Sequence, residues 1–533
     1  MEIARAWRRR MMVSLGAAAV AALASISPAT AESVLHVAMT TGDIPAWSGQ
    51  PDQGYEGYRF VGWNLYDALV NWDLSHSDRE ASLRPGLATK WSVDSANPNR
   101  WLVTLRSGVK FHDGCVLTPE VVAWNYRRLI DAKAEGYDPV QAARMRTRLG
   151  NIVGVDVVDA QTVAISTKAP DSFMPYTLTY VLIISKCAAE KAGYDYTVLA
   201  KAPAGTGPYK FDRVIQHERL EMVRNAEYWD KSRIPRHDRL VLLPMPEATT
   251  RVAALLSGQV EFIEAPAPDM VARLRSSGMQ IVTNAYPHNW IYQLNVVDTP
   301  FSDVRVRRAA NYAINRDDVV ALLSGTATAG YGFFPPSSPF YGQPIKYAFD
   351  PARATALLKE AGCYPCKIAI AMSTSGSGQM QPLEMNELVK SQLEAVGFQV
   401  TLKVMDFNAL LEVSQKGRKA FPGFDAINIS RAPQDPASGF LTTVMKDRFS
   451  PNGPNWGWFF NDKIDATARE ALATFEEGQR DALVIRVHEL VVQEAPMIFV
   501  AHDLNLRALS PRLEGFVQAQ SWFQDLTPIV VKP

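Results

Sequence analysis

The residues most able to do chemistry are histidines, cysteines and glycine-rich turns, and their spacing does not match an enzyme. His217-Glu218 and His488-Glu489 lack the second histidine that a zinc-binding helix of the HExxH type requires. Gly376-Ser377-Gly378 has the wrong spacing for a nucleophile elbow and is predicted as a loop. In Gly205-Thr206-Gly207-Pro208 the proline removes an amide donor that a phosphate-binding loop would use. Because a nucleophile and its base need identifiable neighbours, we expect no enzymatic activity, no cofactor and no metal site.

The chain has four cysteines, Cys115, Cys187, Cys363 and Cys366. The last two form a lone Cys-x-x-Cys pair, which is a poor zinc site because zinc normally takes four ligands. We favour a short local disulfide for this pair, with a redox role as the alternative. Cys115 and Cys187 are candidates for a second disulfide, but spacing does not determine the connectivity.

The first 31 residues have the pattern of an export signal. Arg8-Arg9-Arg10 precedes an apolar stretch from Met11 to Ala24, and Ala29-Thr30-Ala31 matches an Ala-x-Ala cleavage site. The apolar stretch is too short to span a bilayer. We therefore expect cleavage near Ala31 and a soluble periplasmic protein beginning at Glu32, with an uncleaved anchor as the alternative. The general and the twin-arginine export routes both stay open.

Charge and length exclude some classes of protein. Lys+Arg and Asp+Glu are both 55, and residues 1–31 hold four of the basic residues and one of the acidic ones. The rest of the chain is therefore slightly acidic, and without clustered Lys or Arg it is not expected to bind nucleic acid. The 533 residues exceed what a single core usually serves, which predicts at least two lobes.

Helix-capping residues, glycines and alternating apolar residues predict a mixed α/β chain. Residues 101–105 alternate apolar and polar side chains, which is typical of a strand. Thr118 and Asp350, each followed by proline, predict helix starts, and Asp303 and Asp317 predict two more. Strands at 368–372 and 400–404 flank a helix closed by a glycine, and this β–α–β order indicates a second α/β lobe.

Motifs spread along the chain resemble those of a known family. They are 83–91 (LRPGLATKW), 105–114 (LRSGVKFHDG), 203–209 (PAGTGPY), 225–229 (NAEYW), 256–260 (LSGQV), 300–307 (PFSDVRVR) and 350–362. In this order they resemble the large periplasmic substrate-binding proteins of peptide, nickel and opine ABC importers, the type 5 family. Their glycines, prolines and Asp113-Gly114 are typical of turns, so the motifs indicate the architecture more than the ligand.

The resemblance implies an α/β, two-lobed periplasmic binding protein fold (type II, cluster C-like) with an extra inserted subdomain. We assign 1–31 to the signal, 32–70, 200–290 and 500–533 to lobe 1, 71–199 to the insert and 291–499 to lobe 2. Hinge crossings are expected near 289–294 and 496–504.

The implied function is that of a monomeric receptor that captures a short peptide or a small opine-like or aromatic acid and presents it to the permease subunits in the inner membrane. Because a ligand shifts closure only if it binds the closed state better, it should contact both lobes. A periplasmic chaperone or cell-wall peptide binder is the alternative, and a periplasmic hydrolase is less favoured.

Ten residues are candidates for ligand contact by their positions in this pattern: Asp43, Trp47, Trp290, Tyr292, Arg431, Gln434, Asp435, Trp456, Trp458 and His502. Core or interface packing is the alternative for the tryptophans, since Trp is mostly buried in any fold. A hydrogen-bonded hinge role is the favoured alternative for His502.

One departure from the family pattern bears on the ligand. Peptide-binding members often carry an acidic residue shortly before the Asp-Pro pair, where it binds the peptide's α-amino group. Aligned on Asp435-Pro436, this chain has Ala432 there with Arg431 beside it, and a cation favours a carboxylate. A register shifted by a few residues would instead give Asp435 the amine-binding role. A small acid and a short peptide therefore both stay open, and nickel is less favoured because no His/Cys cluster is evident.

Overall fold

The computed structural model describes residues 32–376 and 378–533. The predicted export signal at 1–31 and Ser377 of the predicted 376–378 loop lie outside the described residues.

The strands are, in chain order, β1 Val34–Met39, β2 Val70–Trp72, β3 Leu83–Pro85, β4 Ala88–Asp94, β5 Asn97–Leu105, β6 Ile152–Val157, β7 Thr162–Thr167, β8 Tyr209–Ile215, β9 Arg219–Arg224, β10 Arg239–Pro244, β11 Phe262–Glu264, β12 Gln280–Val282, β13 Asn289–Leu294, β14 Ala327–Ala329, β15 Cys366–Ser373, β16 Phe398–Met405, β17 Ala426–Arg431, β18 Met497–Asp503, β19 Arg507–Leu509, β20 Leu513–Glu514 and β21 Val530–Val531.

The α-helices are α1 Tyr55–Gly57, α2 Trp63–Leu65, α3 Pro119–Ile130, α4 Pro139–Leu149, α5 Met174–Thr177, α6 Lys186–Lys191, α7 Tyr196–Leu199, α8 Ala248–Leu256, α9 Val271–Ser276, α10 Val304–Tyr312, α11 Arg316–Leu322, α12 Pro351–Glu360, α13 Pro382–Ala395, α14 Phe407–Lys416, α15 Pro436–Gly439, α16 Asp462–Ala473 and α17 Glu477–Glu494. A π-helical turn, Tyr58–Gly62, joins α1 to α2, and 3₁₀ turns lie at Lys231–Arg233, Pro268–Met270, Pro300–Ser302, Leu441–Thr443 and Lys446–Arg448.

Several helices begin where the sequence predicts. The Thr118 hydroxyl accepts a hydrogen bond from the Val121 amide at 3.4 Å and caps α3, and Asp350 and Asp303 cap α12 and α10 in the same way. The helix expected to begin at Asp317 begins instead at Arg316. Its cap is Asn315, whose side-chain oxygen accepts from the Asp317 amide at 3.2 Å.

Two large sheets define the two lobes. The first has the order β12-β19-β11-β1-β10-β9-β8, with β1 parallel to both of its neighbours. The second has the order β14-β18-β13-β17-β15-β16, with β15 parallel to β16 and β17 as the β–α–β pattern predicts. A two-lobed α/β fold is therefore confirmed.

The passages between the lobes follow from the strand order. β12 and β19 are neighbours in the first sheet, and β13 and β18 are neighbours in the second. The chain therefore crosses between the lobes at 283–288 and 504–506. The expected hinge segments 289–294 and 496–504 lie largely inside β13 and β18.

A smaller unit is inserted in the first lobe. Its four-stranded antiparallel sheet has the order β4-β5-β7-β6, and α3 packs against β6 and β7. Trp101, Val103 and Leu105 on β5 are buried, in agreement with the alternation read from the sequence. A disulfide joins Cys115 to Cys187 within this unit, and Cys363–Cys366 forms the predicted local disulfide in the second lobe.

Candidate functional site

The two chain passages between the lobes are tied together by buried polar contacts. His502 Nδ1 lies 2.6 Å from the His288 carbonyl oxygen, and the Tyr286 hydroxyl donates to Asp503 at 2.9 Å. Burial lowers the pKa of His502 to about 4 and that of His288 to about 3, so both rings are neutral at physiological pH. His502 therefore lies near the end of β18 and contacts the last residue of the first passage, His288.

The aromatic residues of β13 point away from the neighbouring Arg431 side chain. Trp290 and Tyr292 lie in the main core of the second lobe, and the Tyr292 hydroxyl donates to Asn386 of α13 at 2.8 Å. Alternation along the strand puts Gln293 on the opposite face, where its oxygen accepts from Arg431 at 3.3 Å.

The two other predicted tryptophans of the second lobe are apart from each other. Trp456 is fully buried in a cluster with aliphatic residues of α14 and β17. Trp458 stacks on Phe449 with ring centroids 5.4 Å apart, and its ring lies beneath the cations of Arg418 and Lys419. Packing accounts for the surroundings of both indoles.

Asp43 and Trp47 are the two predicted residues of the opening loop, and their side chains contact residues of the first lobe. Asp43 lies 2.9 Å from the exposed His217 ring, in the turn between β8 and β9. The Trp47 indole donates to the Ala200 carbonyl at 2.8 Å and packs against the first-lobe core.

Three of the predicted residues lie together where β17 ends and α15 begins. Gln434 makes direct contacts across the lobes: its oxygen accepts from the Trp522 amide at 3.0 Å, and its side-chain nitrogen donates to the Ser521 hydroxyl. Ser521 and Trp522 belong to the carboxyl-terminal segment after β19, on the first-lobe side. Arg431 and Asp435, on either side of Gln434, therefore lie at the interface between the lobes.

Arg431 is the cation of this group, and it forms no ion pair with any of the described residues. Its Nη2 donates to Gln293 at 3.3 Å and to Ser414 at 3.4 Å. Its Nε is shielded from solvent and has no hydrogen-bond partner in the part of the chain that the structure describes. Among the described residues, no carboxylate lies within 4.0 Å of it. Burial lowers the pKa of Arg431 to about 10, and the Tyr55 phenol of the first lobe opposes this effect.

The first lobe brings a second cation and several aromatic rings close to Arg431. The Arg148 guanidinium carbon lies 4.3 Å from the Tyr180 ring centroid and 5.4 Å from that of Tyr55. The Tyr55 ring is in turn 6.3 Å from Trp522, whose buried indole nitrogen lacks a hydrogen-bond partner among the described residues. Tyr55 thus interacts with cations of both lobes.

Two buried carboxyl groups from opposite lobes complete the interface. Asp435 caps α15, accepting from the Ala437 and Ser438 amides and from the Ser438 hydroxyl at 2.6 Å. Burial raises the pKa of Asp435. Burial and the negative charge of Asp435 raise the pKa of Asp171, in the insert, to about 6.

Sequence reasoning missed Tyr55, Arg148, Ser521 and Trp522. They come from three distant segments, and none stands in a motif that predicts a ligand contact. The only hint is the pair Arg144 and Arg148 on α4, whose separation of four residues equally fits an exposed helix face.

A depression elsewhere is less suited to the ligand. It measures about 540 Å³ and is lined by residues at the amino ends of β15 and β17, including Lys367 and Asp425. Ligands of open α/β sheets bind at the carboxyl ends of strands, where Arg431 lies. Among the described residues, no group of three or more His, Cys, Asp or Glu could hold a metal ion.

Two lobes on separate sheets, joined by paired crossings and enclosing unpaired polar groups, define a solute-binding protein that closes around its ligand. The model of the bacterial extracellular solute-binding proteins, family 5, matches residues 82–448. The chain belongs to this family, whose members are the substrate-capturing receptors of ABC importers.

Curated relatives are similar over almost the whole chain. The glutathione-binding protein GsiB of Escherichia coli O1:K1 / APEC is 28% identical over 525 residues, which cover 96% of this chain and 97% of GsiB. GsiB of Escherichia coli strain K12 is 28% identical over 450 residues, covering 82% of this chain and 84% of the relative.

Solved structures share the fold. The periplasmic binding protein DppA of Helicobacter pylori, in complex with the peptide STSA, has a TM-score of 0.79 at 23% identity, covering 94% of this chain and 98% of DppA. A dipeptide-binding protein of Pseudoalteromonas sp. SM9913, in complex with Met-Leu, has a TM-score of 0.78 at 21% identity, covering 94% of this chain and 100% of the other.

These comparisons confirm the predicted family, fold and receptor function, and they do not favour the chaperone or cell-wall alternative. Within the described ranges, no helix has the length and apolar character needed to cross a membrane.

Proposed function

We propose that this receptor captures a short peptide or peptide-like acid with more carboxylates than amines, and that Arg431 binds one of the carboxylates. The observation that carries the proposal is the Arg431 guanidinium, which lies at the lobe interface with no carboxylate within 4.0 Å among the described residues. Removing a cation from water without a counterion is costly, and a ligand carboxylate would offset that cost with charge-assisted hydrogen bonds.

The other charges of the interface support the same class of ligand. Arg148 and Arg431 come from opposite lobes and both interact with Tyr55, while Asp435 is a carboxyl group without an ion-pair partner among the described residues. Asp171, the second carboxyl group of the interface, is assigned to the contact between the lobes. The two cations and Asp435 are then complementary to a compound with two carboxylates and one amine. Glutathione has these groups, and the GsiB relatives are named for binding it.

Closure of the lobes explains how the permease detects that a ligand is bound. A ligand that contacts Arg431 on one side and Tyr55 or Arg148 on the other stabilises the closed state, because it bridges the lobes only there. The permease would then recognise the closed form. Asp435 serves as the amine partner in this proposal, and no bond of the ligand is broken.

The test is a binding screen on the 32–533 protein. Glutathione, Met-Leu, octopine and phenylacetate are compared by thermal shift and calorimetry. We expect glutathione to raise the melting temperature by a few degrees when it is about 100-fold above its Kd. Stabilisation by phenylacetate or Met-Leu alone would contradict the preference for compounds with two carboxylates.

The role of Arg431 is tested by replacing it with Met. Loss of the charge-assisted hydrogen bonds should weaken binding of glutathione by about tenfold or more. The matched control is Arg486→Met, because Arg486 is an exposed arginine of the same lobe, on α17. Equal affinities for Arg431→Met and the native protein would contradict the proposal.

Export and the absence of catalysis are also proposals. Residues 1–31 would be removed on export, and the mature receptor would work as a periplasmic monomer with its permease. Intact-mass measurement of protein from a periplasmic extract should give an amino terminus at Glu32, and light scattering should give the monomer mass. Glutathione incubated with the protein should be recovered unchanged; cleavage products would revive the hydrolase alternative.

A further inference from the structure

The insert contacts the second lobe although no strand connects them. A segment that follows β7, Asp171-Ser172-Phe173, reaches the end of α16 in the second lobe. The Ser172 amide donates to the Leu472 carbonyl at 2.9 Å, and the Ser172 hydroxyl donates to the Ala471 carbonyl at 2.8 Å. Carbonyls in the last turn of a helix lack partners within the helix, and the Ser172 amide supplies one to Leu472 from the other lobe. The Ser172 hydroxyl adds a second donor to the Ala471 carbonyl, which also accepts from the Thr474 amide at 3.3 Å.

Phe173 strengthens this contact by burial. It is 1% exposed and belongs to a core cluster made otherwise of second-lobe residues. The guanidinium carbon of Arg480, on α17, lies 4.8 Å from the Phe173 ring centroid. A phenyl ring buried in the opposite lobe, beneath a cation, is a substantial apolar and cation–π contact.

The insert itself holds the segment in place. The Trp101 indole of β5 donates to the Asp171 carbonyl at 3.1 Å, and the Trp101 ring lies 5.9 Å from Phe475, which follows α16. The segment therefore connects the four-stranded sheet of the insert to the second lobe.

We propose that residues 171–173 are a latch, which holds the lobes closed without contacting the ligand. The latch residues are covalently part of the first lobe, and their partners belong to the second, so lobe opening must break these contacts. Affinity depends on how much of the protein is in the closed state, so a contact that favours closure strengthens binding of every ligand by the same factor. This property distinguishes the latch from Arg431, which should discriminate between ligands.

The main test combines Phe173→Ala with calorimetry on glutathione and Met-Leu. Loss of the buried ring should weaken the binding of each compound that the native protein binds by about tenfold or more, mainly through faster dissociation. The factor should be the same for both compounds. Ser172→Ala, a milder change, should act in the same direction, and Phe349→Ala, an exposed phenylalanine of the second lobe, is the control.

A double variant tests the contact between the lobes. Arg480→Ala should weaken binding as Phe173→Ala does, and the combined variant should lose less than the product of the two single factors, because both changes remove one contact. Unchanged affinity in Phe173→Ala and Ser172→Ala, or a loss confined to one of two bound compounds, would overturn the latch.

Hydrogen exchange separates this inference from the proposed function, on which the binding assay rests. If neither compound binds the native protein, the ligand proposal fails, and exchange without any added compound still tests the latch. We expect the Ser172 amide to be protected in the native protein and to lose protection in Arg480→Ala. The same exchange rate for the Ser172 amide in the native protein and in Arg480→Ala would overturn the latch.

Discussion

Two regions of this receptor hold arginine side chains largely away from solvent, fully buried in the first and half-buried in the second, and they treat the charge differently. In the first lobe, Glu264 forms ion pairs with both Arg59 and Arg507, the latter at 3.1 Å. Arg59 also bonds Glu56 at 2.8 Å through its Nε. In the second lobe, the side chains that Arg431 hydrogen-bonds among the described residues are the neutral ones of Gln293 and Ser414.

The difference shows which charges the fold needs for itself. The Glu264 network is completed by the protein and joins the end of β11 to β19 and to the π-helical turn, so it serves the architecture. Arg431 lies at the lobe interface with no carboxylate within 4.0 Å among the described residues, and in the proposed function a ligand carboxylate supplies the counterion. Absence of a carboxylate does not by itself mark a ligand contact, because Arg251 and Arg316 are buried and donate to backbone carbonyls instead. Arg431 differs from them because it lies at the lobe interface and its partners are neutral side chains.

The largest expected effect is on the free energy of unfolding, through the ion-pair network of Glu264. Glu264→Gln keeps the side-chain shape but leaves Arg59 and Arg507 without this carboxylate, so the free energy of unfolding should fall by about 3–5 kcal/mol. Chemical denaturation measures the change. Arg431→Met is the comparison variant and should leave the free energy of unfolding within about 1 kcal/mol of the native value, because it breaks no ion pair. Similar losses in both variants would contradict the distinction.

The second prediction concerns a variant that places a counterion beside Arg431. Ser414 is buried on α14, and its hydroxyl oxygen lies 3.4 Å from Arg431 Nη2, so Ser414→Asp would bring a carboxylate to the guanidinium. We expect the affinity for glutathione to fall by about 10-fold to 100-fold, since the ligand must displace an internal carboxylate.

The control for this change is Ser414→Asn, which has nearly the same shape without the charge. Its affinity should stay within about threefold of the native value if charge is the cause. Calorimetry measures the affinity of both variants for glutathione. Equal losses of affinity in Ser414→Asp and Ser414→Asn would indicate a packing effect.

Local features of the fold could be predicted because they depend on neighbours in sequence. Thr118, Asp303 and Asp350 cap helices as expected, since a cap needs only its own side chain and an amide two or three residues on. The order of the two lobes came from the family resemblance, and helix capping would not have supplied it.

The candidate site was less accessible to sequence reasoning. Arg431 was found because it stands beside an Asp-Pro pair that the family pattern marks. Tyr55, Arg148 and Trp522 were not found, because their proximity to Arg431 depends on lobe closure. Trp290 was an attractive candidate from its type, but both faces of β13 are buried, so alternation alone could not tell which face meets the other lobe.

The smallest expected effect concerns a carboxyl group that, unlike Glu264, has no ion-pair partner among the described residues. Glu80, beside β3 in the first lobe, hydrogen-bonds Ser338 of the second, and burial raises the pKa of Glu80 to about 7. Among the described residues, the titratable group that interacts with Glu80 is the Tyr176 phenol, which stays neutral because burial raises its own pKa. When the lobes open, Glu80 meets solvent, and its pKa should return to the ordinary range near 4.5.

Closure therefore takes up a proton between these two pKa values, so binding should tighten as the pH falls from about 7.5 to about 5.5. Asp171, whose pKa is raised to about 6, acts in the same direction. From these two pKa values we expect the Kd of glutathione to fall by about 20-fold over this range through Glu80, and we expect a smaller change in Glu80→Gln, which keeps a neutral side chain at every pH. The ratio of the two Kd values at each pH cancels the ionisation of glutathione itself. If the ratio of the Kd values of the native protein and Glu80→Gln did not change with pH, Glu80 would not take up a proton on closure. Glu80 would then not differ from the paired Glu264 in the way proposed.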